Sequence, residues 1–131
     1  MSQDRGAVEL LAVLEEPSTA AEAAIEALAT QLEGADAIGE TAASLPAGAR
    51  APIVQLQAYY RRILAHVSEI QTGSPAQGEA IGAIRRMGTG LGRLAAAVDK
   101  EGEPARDEAK RGAVAIEQAE HEFERAIARL R

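Results

Sequence analysis

Between residues 52 and 71 the apolar positions are Ile53, Leu56, Tyr60, Ile63, Val67 and Ile70, at spacings of 3, 4, 3, 4 and 3. That alternation keeps a single stripe of a helix apolar and is the rhythm of a coiled-coil seam. Residues 76–100 keep the rhythm with Ala80, Ile84, Met87, Leu91, Leu94 and Val98. Residues 104–130 keep it with Ala109, Ala113, Ile116, Glu120, Phe123, Ile127 and Leu130. Three consecutive segments with one rhythm predict helices that pack nearly antiparallel around a shared core.

The residues between these segments agree. Gly73 suits a left-handed cap after the first of them. Ser74-Pro75-Ala76-Gln77 then reads as an N-cap, a proline at the first helical position and a capping-box glutamine. Gly102 and Pro104 repeat the stop-and-restart pattern. "SLPAGARAP", residues 44–52, breaks the chain before Ile53, with Pro52 suited to the start of a helix.

The first third is less regular. Leu11, Leu14, Ile25, Leu28 and Leu32 fit one heptad frame that runs through Pro17. An interior proline costs ~3 kcal/mol unless the helix bends or stops. A short helix over 4–15 is therefore expected, then a longer one over 18–43 opened by a Thr19/Glu22 capping box. Ile38 and Leu45 leave the earlier frame, so a bend or early end is expected near residue 35. The fold class predicted is all-α. One domain spans 1–131, an elongated antiparallel four-helix bundle running up-down-up-down. Helices cover roughly 4–15, 18–43, 52–71, 76–100 and 104–130, with the short N-terminal helix extra or set off by a kink at Pro17.

Composition sharpens this picture. Hydrophobic residues make up 47 % of the 131, but aromatics only 2 %, so alanine supplies much of the apolar content. The core should be close-packed and built from small side chains. No cysteine is present, which removes disulfides and thiolate metal sites. No apolar run approaches the ~18 residues of a membrane span. Asp4 and Glu9 interrupt any signal-peptide pattern. A cytoplasmic protein is expected, with export by a signal-free route left open.

The net charge of −6 is unevenly spread. Residues 1–49 hold nine acids and one base, residues 50–100 seven bases and three acids, and residues 101–131 six bases and eight acids. An acidic third beside a basic middle either fixes which faces meet within the bundle or reserves a basic face for an acidic partner.

"RRMGTGLGRL", residues 85–94, is the stretch that asks for an explanation. A phosphate loop needs glycines between a strand and a helix. Here the preceding residues are helical in rhythm, and Gly88-x-Gly90-x-Gly92 lacks the required spacing. Gly78–Gly82 and Gly88–Gly92 share the four-residue spacing of close helix contacts. Each interior glycine costs ~1 kcal/mol relative to alanine, so a packed neighbour must offset the loss or the helix is locally soft. Close helix contact is the expected use.

Other chemistry is sparse. His66 and His121 are the only histidines, and neither sits in the Glu-x-x-His pattern of a di-metal bundle. No catalytic, cofactor-binding or metal-binding residues are assigned, and no enzyme is expected. Glu120 occupies a seam position, so it and Tyr60 are expected as buried polar groups, with Glu120 either fixing register or marking a place where the seam is open to water. Arg61, Arg62, Arg85, Arg86 and Arg93 share a face if their two helices adjoin, which is the stripe that phosphate binding requires. The acidic total and scarce aromatics argue against nucleic acid. The mixed polar faces and absent tryptophan argue against membrane-surface binding. The expectation is a non-enzymatic interaction protein that binds another helical surface, its own copy or a partner's. Arg85, Arg86, Gly88, Gly90, Gly92 and Arg93 are its contact surface. The alternative is a polyanion or phosphate ligand on the same arginines.

Overall fold

The computed structural model describes residues 4–16, 18–37 and 47–131, without the side chains of 31–37. Among them every regular element is helical. The α-helices are α1 (Arg5–Glu15), α2 (Thr19–Ala37), α3 (Arg50–Glu69), α4 (Ala76–Val98) and α5 (Gly102–Leu130), with a 3-10 turn at Ala47–Ala49 leading into α3. Pro17, residues 38–43 of the second predicted helix and the Leu32 side chain lie outside the described residues.

The caps follow the expected chemistry with some changes of actor. Asp4 caps α1, its Oδ1 accepting from the Ala7 amide at 3.2 Å. Its Oδ2 accepts from the Thr72 hydroxyl at 2.6 Å and the Gly73 amide at 3.2 Å, which ties α1 to the α3–α4 connection. These bonds, Thr72's first, hold the Asp4 carboxyl below its usual pKa. Gly6 makes the same junction tight: a Cβ there would collide with the Gln71 carbonyl and lie 2.7 Å from Thr72 Cβ. Ser18, not Thr19, caps α2, accepting from the Ala21 amide at 3.2 Å. Pro52 sits in the first turn of α3, where a missing N–H is harmless.

Gly73 does not provide a left-handed cap, because α3 ends at Glu69 and Ile70 is extended. Among the described residues only Gly102 has positive φ, at 71°, where the chain turns into α5. Gln77 also departs from the capping-box expectation. Its Nε2 donates to the Val67 and Ile70 carbonyls at 2.9 and 2.6 Å, satisfying the end of the preceding helix rather than the start of its own.

Two apolar clusters lie along α3 and α4. One gathers Ala21, Ala24 and Leu28 of α2 with Ile53, Leu56, Met87, Leu91 and Leu94. The other gathers Leu10 and Val13 of α1 with Val67, Ile70, Ala80, Ile84 and Ala126. The N-terminal helices thus divide the length of the core between them, α1 at one end and α2 at the other. In α1 the core-facing side is that of Gly6, Leu10 and Val13, one position off the predicted Leu11/Leu14 frame. In α2, Ile25 points outward and is 50 % exposed.

The seams of α3 and α4 hold as read from the sequence. That of α5 holds at Ala109, Ile116, Phe123 and Leu130 and fails at Ala113 and Glu120. Its buried positions are Ala105, Gly112, Ala119 and Ala126, a strict seven-residue repeat, flanked by half-buried Ala109, Ile116, Phe123 and Leu130. Glu120, expected in the core, is exposed, as is Ala113. Helix α4 carries a matching second stripe of Ala76, Ala83, Gly90 and Ala97, all buried. At the centre the two glycines meet. A Cβ on Gly90 would lie 2.9 Å from the Gly112 carbonyl oxygen, and one on Gly112 would lie 2.8 Å from that of Gly90. Along the pair, ion pairs join Glu79 to Arg129, Arg86 to Glu122 and Arg93 to Glu108, so numbers rise on one helix as they fall on the other. The two helices are therefore antiparallel and close, backbone against backbone.

Candidate functional site

Close approach of α4 and α5 leaves long side chains no room between the helices, so they fan out on either side. On one side they line an open groove of about 690 Å³. Its small and apolar lining is Gly82, Val114 and Ala115, with Val114 52 % exposed, and Thr89 and Gln118 add neutral polar groups. Its walls carry Arg85, Arg86 and Arg93 from α4 and Lys110 and Arg111 from α5. On α4 the adjacent Arg85 and Arg86 are followed two turns on by Arg93, and Lys110 and Arg111 face them from α5, so a ligand in the groove meets positive charge from both helices.

Two of the five are partly neutralised within the chain. Arg86 pairs with Glu122. Arg93 lies 3.6 Å from Glu108, which also faces Lys100 at 3.4 Å. Among the described residues no carboxylate lies within ion-pair distance of Arg85, Lys110 or Arg111. Among the described residues no acid of the N-terminal third pairs with any of the five. Of its described members, Glu9 pairs with His66 at 3.6 Å and Glu15 with Arg131, both away from the groove.

The predicted contact residues therefore separate. Arg85, Arg86 and Arg93 come together. Gly90 is buried against Gly112 of the same chain and is not available to a partner. Gly88 and Gly92 lie outside the groove lining, and a Cβ on either would meet nothing within 4 Å. Arg61 and Arg62 do not join the stripe. They line a different groove, of about 840 Å³, between α2 and α3. Lys110 and Arg111 were not legible as part of the site, because their place depends on how α5 is rotated against α4.

Tyr60 is half-buried rather than fully buried. It borders a notch of about 290 Å³ between α1, α3, α4 and α5, together with Val13, Leu14, Tyr59, Ile63, Met87, Glu120, Phe123 and Glu124. Burial, then Tyr59 and Glu120, push its hydroxyl up to a pKa of about 12. Burial, then Glu16, raises Tyr59. Among the described residues no group of three or more His, Asp or Glu is placed to hold a metal ion, and no helix is long and apolar enough to cross a membrane.

Fold and surface together define an all-helical protein whose last two helices present a cation-lined groove. Compared with protein-family models, curated proteins and solved structures, the chain matches none.

Proposed function

We propose that this is a non-enzymatic helical-bundle protein whose α4–α5 groove receives an acidic helix of another protein chain, a second copy of itself first among the candidates. In this reading α2 to α5 alternate up and down as an elongated bundle, with α1 completing one end of it. The observation that carries it is the convergence of Arg85, Arg86, Arg93, Lys110 and Arg111 on a lining of small and apolar residues. A lining of that kind suits an apolar helix stripe, and flanking cations suit its acids. Such a helix exists on the chain itself. The outer face of α2 carries Glu22 and Glu26 around the exposed Ile25, and no ion pair within the described residues engages either glutamate. Two such contacts related by a two-fold axis would close a dimer.

The polyanion reading uses the same cations. It is weakened by the separation of Arg61 and Arg62 into another groove, which shortens the basic stripe, and by the exposed Val114, which a phosphate backbone does not need.

Sedimentation equilibrium tests the proposal. The wild-type chain should exceed its monomer mass, and Arg85→Glu/Arg111→Glu should return it to monomer. Mixing that variant with Glu22→Arg/Glu26→Arg should restore association by swapping the charges. A wild-type chain that stays monomeric at high concentration removes the self-docking proposal. Salt-sensitive binding of a short DNA duplex by the same monomer would transfer the groove to the polyanion reading.

A further inference from the structure

The chain has two tyrosines, one phenylalanine and no tryptophan, and all three rings converge on the notch at the end of α1. Tyr59 and Tyr60 meet edge to face with centroids 5.1 Å apart, and Tyr60 meets Phe123 at 6.2 Å. Residues that could have been spread along the core as large fillers are instead gathered around an opening. Met87 lines its inner side, and Val13 and Leu14 of α1 line one wall.

The charges at this opening are of one sign. Glu120 and Glu124 belong to its lining, and no lysine, arginine or histidine does. Glu16 is close enough for its charge to act on Tyr59. Arg62 also acts on Tyr59, but it lines the α2–α3 groove and not this one. Glu124 has His121 at 4.0 Å, and among the described residues Glu120 has no ion-pair partner. A ring face attracts a cation through its quadrupole, and a carboxylate nearby adds direct attraction. The volume, about 290 Å³, falls at the small end of ligand pockets.

We propose that the Tyr59–Tyr60–Phe123 notch, with Glu120 and Glu124 at its rim, binds a small organic cation of the quaternary or tertiary ammonium class. Ligand methyl groups would lie against Met87, Leu14 and the rings, while the charged nitrogen would face the rings and the two carboxylates. This site shares no lining residue with the cation-lined groove, so it stands or falls independently of the self-docking proposal.

The protein's composition makes the test direct, because its only strong fluorophores, Tyr59 and Tyr60, both line the site. Choline and its uncharged isostere 3,3-dimethylbutan-1-ol are titrated against the full chain, with tyrosine emission as the readout. Choline should give a saturable change, with the neutral isostere weaker by about tenfold, the ratio expected for one good cation–π and charge contact. Glu120→Gln/Glu124→Gln should lose about the same factor for choline and none for the alcohol. Both glutamates are exposed, so helicity by circular dichroism should be unchanged in that variant. An equal response to the two compounds would overturn the proposal. So would a choline response that survives removal of both carboxylates, or no saturable response to choline.

Discussion

Where α5 meets α4, each helix offers four small residues seven positions apart, and at the centre Gly90 touches the Gly112 backbone. Where α2 meets α3, alanine is at least as plentiful, yet the helices part over a groove of about 840 Å³ lined by Ala20, Ala21, Ala23, Ala58 and Ala65. The difference is not in content but in register. On α4 and α5 the small residues fall on one stripe that faces the partner. On α2 they wrap around the helix, and among its described side chains Ala21, Ala24 and Leu28 turn inward. Close approach needs small residues at every turn of one face, because a single longer side chain there sets the spacing for its neighbours.

The most damaging way to break this contrast is to enlarge a residue at the glycine contact. Gly90→Leu would drive a side chain into Ile116 and the Gly112 backbone, and neither can retreat far. A loss of ~3 kcal/mol or more in urea denaturation is expected, at the upper end of overpacking costs. A loss below ~1 kcal/mol would mean that α4 and α5 slide apart easily and the seam is not what sets their spacing.

Truncation on the looser side should cost less. Leu28→Ala removes the one large buried side chain among the described residues of α2, whereas Leu94→Ala opens a hole at the seam itself. The general range for such truncations is ~2–5 kcal/mol. Leu94→Ala should cost ~3 kcal/mol and Leu28→Ala should fall near the bottom of the range. Amide exchange should tell the same story, with α2 opening before α4 and α5. Protection of α2 equal to that of α5 would erase the comparison.

Much of this was legible in the chain. The seams of α3 and α4 were, because Ile53, Leu56, Val67 and Ile70, then Ile84, Met87, Leu91 and Leu94, put large apolar groups at each turn. The α5 seam was legible only in part, because Ala105, Gly112, Ala119 and Ala126 carry almost no hydrophobic signal. Ile127 and Ala113 drew the frame one position away and set Glu120 on the seam, where an unpaired carboxylate is costly. That carboxylate was itself the sign of a frame error. In α1 two adjacent frames, Leu10/Val13 and Leu11/Leu14, are equally apolar, and what the sequence does not display is the close seat of Gly6 against the Gln71 carbonyl, where a Cβ has no room. The arginines of α4 were visible as a stripe, but the cations of α5 join them only once the rotation of α5 is known.

Alkaline titration sharpens the comparison at the α1 end. The Tyr60 pKa is raised from about 10 to about 12 in the folded chain. The neutral phenol is therefore the form that folding favours. Its contribution is whole below pH 10 and is lost as pH rises through 12. A shift of two pKa units corresponds to ~2.7 kcal/mol. Tyr60→Phe should flatten the stability loss between pH 10 and 12, measured by denaturation at each pH. Identical pH profiles for wild type and variant would show that the notch does not desolvate the hydroxyl.

The smallest expected effect has the opposite sign. Gly88 and Gly92 lie on the same helix as Gly90, two residues to either side, but an added Cβ meets nothing within 4 Å and neither backbone has positive φ. Alanine at each should therefore stabilise by up to ~1 kcal/mol through helix propensity and a less free unfolded chain. For the Gly88→Ala/Gly92→Ala variant a rise in melting temperature of several degrees is expected. A fall would mean that these positions are closed by something the folded monomer does not show. The same variant also divides the two meanings of the glycine run. If it melts higher and still self-associates, Gly90 alone explains why glycine is needed on this helix, and its two neighbours are incidental to docking. If it melts higher and becomes monomeric, the open faces at 88 and 92 belong to the contact between copies, and the docking surface extends past the cations to the back of α4.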